Sequence, residues 1–379
     1  MDFSLGEEHK MLQTMVRDFA NEKLAPVADE LDRKQEFARD NFKMMAEMGL
    51  LGLGIPQEYG GSGGDELSAA IAIEELSRAC ASTGGILDAH LCLCAAPIYR
   101  FSTDEQKQKF LPALAKGEKV GAMAITESEA GSDVGNVQTT ASRDGDGYIL
   151  NGTKIFITNG DVCDTLLVFA TVPELGERGM TGFIVEKGMP GYSKGKKYDK
   201  LGIRAATNAD QVFEDCRVPA ANRLGDEGKG MRIFLELIDH GRIGIASQAL
   251  GITRAVLERA VEYAKSRKQF GAPIASYQAI SFRLADMYAE LEAARLLTYQ
   301  AAWLADNGQP FRTQASMAKL CATELAMRAA TLGIQVFGGY GYMMDSPMQR
   351  HFRDAKLTEI YEGTSEVQRL VISASLFRE

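Results

Sequence analysis

Histidine, cysteine and tryptophan are scarce in this chain of 379 residues, numbering four, six and one. Six cysteines spread over this length do not make a disulfide framework. Cys92 and Cys94 form a C-x-C with no second Cys or His pair at zinc spacing. His9, His90, His240 and His351 stand apart and fit no H-x-x-x-H or H-E-x-x-H pattern, so no metal site is expected. Positive charge is also short, 42 Lys and Arg against 51 Asp and Glu, for a net charge of −9. That balance speaks against nucleic acid as the main ligand, because phosphate binding needs a basic face. No window reads as the roughly 18 uncharged apolar residues of a membrane span. Met1–Glu8 has neither a basic n-region nor an Arg-rich transit pattern, and is read as a mature, cytosolic start. No G-x-G-x-x-G follows a strand, since Gly52-Leu53-Gly54 runs straight into Ile55-Pro56, so Rossmann and Walker-type nucleotide binding have no support.

What is present is ordinary globular material, 45 % hydrophobic and 25 % charged, enough for two or three domains. Residues 1–120 read as helical. Leu12, Met15, Val16 and Phe19 make an apolar stripe, Pro26 interrupts it, and further helices are expected near 40–49, 66–80 and 103–115. Gly60–Gly64 looks like a linker but is closely flanked by helices, which favours a surface loop. Residues 121–230 read as an antiparallel β domain. Asp144–Gly147 and Asn151-Gly152 are turn signals around strands at 148–150 and 154–157, and further strands are expected at 166–172, 182–185 and 211–218. Residues 231–379 are helical again, with long stretches at 231–267, 277–306 and 312–336 and one short helix after them. The fold class is therefore α+β, a helical domain, a β domain and a C-terminal four-helix bundle.

Several segments can carry chemistry, and each has a plainer reading. Glu362 precedes an apparent capping box, Ser365-x-x-Gln368, with Gly363 permitting close backbone approach. Beside Ile360 and Tyr361 its carboxylate can be desolvated into a usable base. On spacing alone, an acidic residue favoured by a helix N-terminus is the simpler account. Thr126–Asp133 groups hydroxyls around a glycine, suited to an anion or a polar ring, or simply to a capped turn. Gln335–Gly341 ends a helix with glycines. Asp239 and Arg242 share a helix face, where they either pair or serve a phosphorylated ligand.

Taken in order, Ile125-Thr126-Glu127, Ala130–Asp133, Asn151–Lys154, Ile157–Asn159, Arg267–Gly271, Gln335–Gly339 and Tyr361–Ser365 resemble the acyl-CoA dehydrogenase family of flavoproteins. The likeness runs over essentially the whole chain. It implies FAD as cofactor, an acyl-CoA or enoyl-CoA substrate, an electron-transfer flavoprotein as partner, and a homotetramer built as a dimer of dimers. Carried onto this sequence, Glu362 corresponds to the catalytic base. Met123, Ile125, Thr126, Gly131 and Ser132 correspond to flavin contacts, as do Phe156, Ile157, Thr158, Thr364, Ser365 and Glu366. Arg267, Gln269, Phe270, Gln278, Gln335, Val336, Gly338 and Gly339 correspond to the adenosine end of FAD, some of them across a subunit interface. Asp239, Arg242 and Gly363 correspond to substrate contacts, together with Ser132.

The likeness has departures. Ser128 stands where the family commonly has Pro, a change expected to loosen the flavin loop, and Phe156 stands where Trp is frequent. Gly241 occupies the place where isovaleryl- and long-chain-type members carry their base, which with Glu362 present favours the short/medium-chain arrangement. The run Gly241–Gly251 resembles short-chain, butyryl-CoA-type members. Gly84–Ala89 corresponds to the pocket floor. There Gly85 and Ala89 either leave room for an aryl-propenoyl group or are backed by neighbouring side chains. The implied reaction is short-chain acyl-CoA dehydrogenation or its reverse. An aryl-propenoyl-CoA reductase, an acyl-CoA oxidase and a non-catalytic interaction partner are the alternatives.

Overall fold

A computed structural model describes residues 4–377 and realises the helical, β, helical order. The first section holds α1 (Glu7–Phe19), α2 (Ala28–Lys34), α3 (Arg39–Glu47), α4 (Glu66–Ala79), α5 (Ala81–His90), α6 (Ala96–Phe101) and α7 (Asp104–Ala115). Short polar side chains set the starts of α4 and α7. Asp65 accepts from the Ser68 amide at 2.8 Å, and Thr103 forms a capping box with Gln106, each satisfying N–H groups that no helical carbonyl reaches. Gly60–Gly64 is a tightly packed loop. A side chain at Gly61 would overlap the Ile55 backbone, and Leu53 bridges Gly63.

From Ala81 to Phe101, α5, a π-turn (Leu91–Ala95) and α6 form a run of 21 residues that meets the length and composition of a membrane span. In this fold 94 % of its most apolar window is buried inside the protein, so it is a core helix. Asp88 and Arg100 within it are why a search for uncharged runs passes it over.

The middle section is an eight-stranded sheet of β1 (Gly121–Ala124), β2 (Thr140–Asp144), β3 (Gly147–Thr158), β4 (Thr165–Thr171), β5 (Met180–Glu186), β6 (Tyr192–Lys197), β7 (Asn208–Pro219) and β8 (Arg223–Leu224). Its order is β6-β7-β3-β2-β4-β5-β8, with β1 beside β4. The pairings are antiparallel except β1–β4 and β2–β4, which are parallel. The turn at Asp144–Gly147 forms as expected. Asn151-Gly152 does not turn. It is an irregularity within the continuous strand β3, where the register against β7 shifts between Leu150 and Gly152. The Asn151 side chain bonds across to Asp215, accepting from its amide at 2.8 Å, which spends the Asn on the neighbouring strand.

The third section contains α8 (Gly230–Ser266), α9 (Gln278–Asp306) and α10 (Arg312–Phe337), then two short helices rather than one, α11 (Pro347–Thr358) and α12 (Ser365–Leu376). The first section packs on this bundle through α4. A side chain at Gly251 of α8 would overlap the α4 backbone at Glu74 and Arg78. Buried Glu74 binds Arg295 and Tyr299, and Glu75 binds Arg17 and Arg254, so α1, α4, α8 and α9 are cross-linked by charge. One apolar core runs from Val16 through Phe110 and Leu250 to Met348, each such side chain contributing about 1.5–3 kcal/mol on burial. Asn159, just past β3, donates to the Ile86 and Gly121 carbonyls, both at 3.2 Å. That contact sets the end of β3 against α5, the helix carrying Gly84–Ala89.

Candidate functional site

Glu362 lies in the link between α11 and α12, in the left-handed region at φ +54°, followed by Gly363 at φ +90°. A glutamate in that region is strained and must be held by its surroundings. Buried Lys319 of α10 donates to the carbonyls of Thr358 (3.1 Å) and Gly363 (2.7 Å). Gln368 donates to Gly363 at 2.8 Å, and the Tyr361 hydroxyl bonds Gln248 of α8. The expected Ser365–Gln368 capping box does not form. Thr364 is the cap, accepting from the Val367 amide at 3.3 Å. Ser365 is already in the first helical turn, and Gln368 is committed to the strained link.

This link lays the Glu362 carboxylate on α8, where Oε2 occupies the space a side chain at Gly241 would fill. Oε2 is sealed from water and has no hydrogen-bond partner among the described residues. Burial raises the carboxyl above its ordinary range, against the opposing pull of a hydrogen bond to Asp88 and the charges of Lys319 and Arg242. Lys319 in turn is brought down to about 7 by its own burial, with Glu362 acting against that shift. Asp88, one helical turn deeper on α5 and 1 % exposed, fills the space beside Gly244. Burial, and then the neighbouring Glu362 charge, push it well above the usual carboxylate range. Asp88 escaped the reading of the sequence. Its signal was an acidic residue inside an otherwise apolar and small-residue run.

Arg242 and Asp239 do pair, at 2.5 Å, and Asp239 also takes Arg312 at 2.8 Å. Asp239 and Arg312 line a cavity of about 530 Å³ with Lys229, Arg232 and Glu236, while Arg242 is buried behind it. Gly135, three residues past Ser132, approaches Met231 at the rim of this cavity.

On the β side, Met123 is half-buried within β1, Ile125 is buried, and the Thr126 carbonyl accepts from Ile155 at 2.8 Å. Gly131 and Ser132 are exposed, with open space at Gly131. Phe156 is 55 % exposed at φ +62°, its ring 4.7 Å from that of Tyr198. Ile157 is buried, and the Thr158 hydroxyl accepts from Asn208 at 3.2 Å. Ser128 follows Glu127 in the loop that leads to Gly131 and Ser132. Buried Glu127 anchors it, accepting from Lys154 (2.6 Å), the Gln138 amide (2.5 Å) and both the amide and hydroxyl of Thr139. Glu127 and Lys154 are positioning residues that the sequence displayed inside quoted motifs without revealing this role.

The remaining expected residues lie elsewhere. Arg267, Gln269, Val336, Gly338 and Gly339 line a second cavity of about 500 Å³, where the Arg267 guanidinium sits 5.7 Å above the Tyr340 ring. Gln278 and Gln335 are exposed nearby without lining it, and Phe270 is 97 % exposed. From Arg242 to Arg267 along α8 is 25 residues, about 38 Å at 1.5 Å per residue. The structure therefore holds the residues around Asp239 and Arg242 and those around Arg267 far apart along one helix.

The residues present fit a flavin dinucleotide. Exposed Phe156 offers a flat apolar face and Gly131 an open approach. Gly338, at φ +61°, and Gly339 meet nothing within 4 Å where side chains would stand, leaving room for a group against the backbone. Ser365 Oγ is buried and without a partner among the described residues. Glu362 N–H donates to no backbone carbonyl among them.

Family models for the N-terminal, middle and C-terminal domains of acyl-CoA dehydrogenase match residues 6–118, 122–216 and 228–377. A short-chain-specific acyl-CoA dehydrogenase of Clostridium acetobutylicum is 50 % identical over 379 residues, covering all of both chains. The butyryl-CoA dehydrogenase structure from Megasphaera elsdenii superposes with a TM-score of 0.97 at 46 % identity, covering all of both chains. A structure from work on the electron transferring flavoprotein of Acidaminococcus fermentans superposes at 0.98 with 48 % identity, again over both full chains.

Proposed function

The chain belongs to the acyl-CoA dehydrogenase family, and from that premise we propose that it catalyses FAD-dependent α,β-dehydrogenation of a short-chain acyl-CoA, or the reverse reduction of an enoyl-CoA, exchanging electrons with an electron-transfer flavoprotein. The observation that carries this reading is the sealed Oε2 of Glu362, which no donor reaches among the described residues, beside a backbone N–H that meets no carbonyl among them. The α-hydrogen of a thioester is weakly acidic, so its removal needs a positioned base together with a donor for the oxygen on which charge develops. Glu362 Oε2 takes the α-proton, and the Glu362 N–H is the donor this chain offers the thioester oxygen. Lys229, Arg232 and Arg312 around the larger cavity suit the phosphates of coenzyme A, with Asp239 bracing Arg312 and buried Arg242 pairing with Asp239 behind it. Bound FAD supplies the acceptor for the β-hydrogen as hydride. Met123, Ile125, Thr126, Gly131, Ser132 and Phe156–Thr158, with Thr364–Glu366, would hold its flavin.

The distance along α8 supports a cross-subunit arrangement, in which the Arg267 end of one chain serves the FAD of another within a homotetramer. On the pocket floor, a side chain at Gly85 would meet the Gln248 amide at 2.9 Å, and that filling supports a short acyl group over an aryl-propenoyl one. Five of the six free cysteines are buried, and unpaired thiols suit a reducing compartment such as the cytosol. Anaerobic mixing with butyryl-, palmitoyl- and an aryl-propenoyl-CoA, following the oxidised flavin band or its return, tests the reading. Butyryl-CoA or its enoyl counterpart is expected to give the highest kcat/KM, and a preference for palmitoyl-CoA would overturn it. Fast reoxidation by oxygen would turn the assignment to an oxidase.

A further inference from the structure

Two glycines three residues apart on α8 each leave room for a carboxylate oxygen. Glu362 Oε2 fills the space at Gly241, and Asp88 Oδ1 fills the space at Gly244. Positions i and i+3 are neighbours on a helix surface, about 5–6 Å apart at Cβ, so the two carboxyls sit side by side in one notch. Neither oxygen has a hydrogen-bond partner among the described residues. Two buried carboxylates in contact without a cation between them cannot both stay ionised. We propose that Asp88 is a positioning residue for Glu362, the two carboxyls holding one proton between them with Asp88 as its resting place.

The surroundings decide which carboxyl keeps the proton. Glu362 faces Lys319 of α10 and Arg242 of α8, two cations that favour its ionised form. Asp88 faces Glu362, Glu66 of α4, the neutral thiol of Cys92 and the Tyr361 ring. Glu66 is itself engaged by His240 and Arg100, both at 3.0 Å. Asp88 therefore holds the proton and donates toward Glu362, leaving Glu362 ionised and able to take a proton from substrate. When it does, the pair holds two protons and no charge. In the reverse direction Glu362 returns its proton to the α-carbon, and the pair is left with one. A buried pair titrates as a unit, so substitutions at Asp88 must be read through Glu362.

This inference rests on Glu362 as the base, and the experiment separates the two. In the holoenzyme, the acid limb of anaerobic flavin reduction by butyryl-CoA reports the ionisation of Glu362. Asp88→Asn replaces a neutral acid by a neutral amide of the same shape, so the limb is expected to stay in place. Asp88→Ala removes the donor, and the limb is expected to move up by about one pH unit. A limb that moves down in Asp88→Asn means Asp88 was ionised, and a limb unmoved in Asp88→Ala means it does not act on Glu362. Either result overturns the pair. Infrared spectra of the parent holoenzyme at neutral pH need no Asp88 variant. A protonated-carboxyl stretch is expected that Glu362→Gln shifts in frequency, and the lack of any such band also overturns the pair. If Glu362→Gln reduces flavin as fast as the parent, it is the base assignment that fails, while the infrared result still judges the pair.

Discussion

Glu127 and Glu362 are both carboxylates drawn out of water, one under the β sheet's loop and one against α8, and their surroundings treat them in opposite ways. At Glu127 burial works to raise the carboxyl, but the Lys154 charge and hydrogen bonds from Lys154, Thr139 and Gln138 outweigh it and hold the group below its ordinary range. Lys154, brought down to about 8 by burial, keeps its charge at neutral pH. At Glu362 no donor reaches Oε2 among the described residues, a second carboxyl is a neighbour, and burial wins. A buried carboxylate with every lone pair occupied is a structural bolt. One with an oxygen left unpaired retains its affinity for a proton, and that affinity is what a base needs.

The contrast is broken most severely at Glu362 itself. Glu362→Gln keeps size and hydrogen bonding, so substrate should still bind while flavin reduction by butyryl-CoA falls about 10²–10⁴-fold or more. Anaerobic stopped-flow mixing measures it. A base moved to Gly241 meets only the tip of the flexible side chain at 362 and Leu93, so in that background it should restore part of the activity. Next comes Glu127→Gln, which strands buried Lys154 and should cost about 3–5 kcal/mol in chemical unfolding at neutral pH. A carboxyl held below its ordinary value stabilises the fold above that value and loses the effect as pH falls through the lowered one. The penalty should therefore shrink in acid. A third test extends the contrast to a cation. Arg267 stacks on Tyr340 but pairs with no carboxylate among the described residues. Arg267→Ala should weaken FAD binding about 10–100-fold and loosen the oligomer with it. Bound flavin and light scattering report both, and full FAD occupancy in an unchanged tetramer would refute the cross-subunit contact. Asp88→Asn should act in the opposite direction. A carboxyl raised by the fold destabilises it as pH climbs above the ordinary value, so the Asn variant should be more stable than the parent, by about 1.4 kcal/mol for each pH unit above the ordinary value over which the parent keeps its proton. That gain should vanish in acid, and thermal melts across pH would show it.

The long helices were legible because apolar periodicity and the lack of Pro survive any tertiary context. Asn151-Gly152 misled because turn chemistry is local, and only the presence of β7 reveals that the chain runs straight on. Helix α11 went unread because it is short and mostly polar, its start marked by Ser346 accepting from Met348 and by Pro347. Glu362, Asp239 and Arg242 were visible as residue types, but spacing alone ranked them as ordinary, and resemblance to a family raised them. Asp88 and the Glu127–Lys154 anchor were not legible as a site. Their meaning depends on which glycine or which donor stands opposite, and that is a property of the folded chain.

The 38 Å of α8 between Arg242 and Arg267 has a genetic consequence. If each active centre takes its base from one chain and its adenosine cradle from another, two different defects can cancel when they are mixed. A subunit carrying Glu362→Gln still offers an intact Arg267, and a subunit carrying Arg267→Ala still offers an intact Glu362. Co-expressed, the two should assemble mixed tetramers in which some centres inherit both sound halves. Damage at opposite ends of this helix would then complement between alleles, and two lesions at the same end would not.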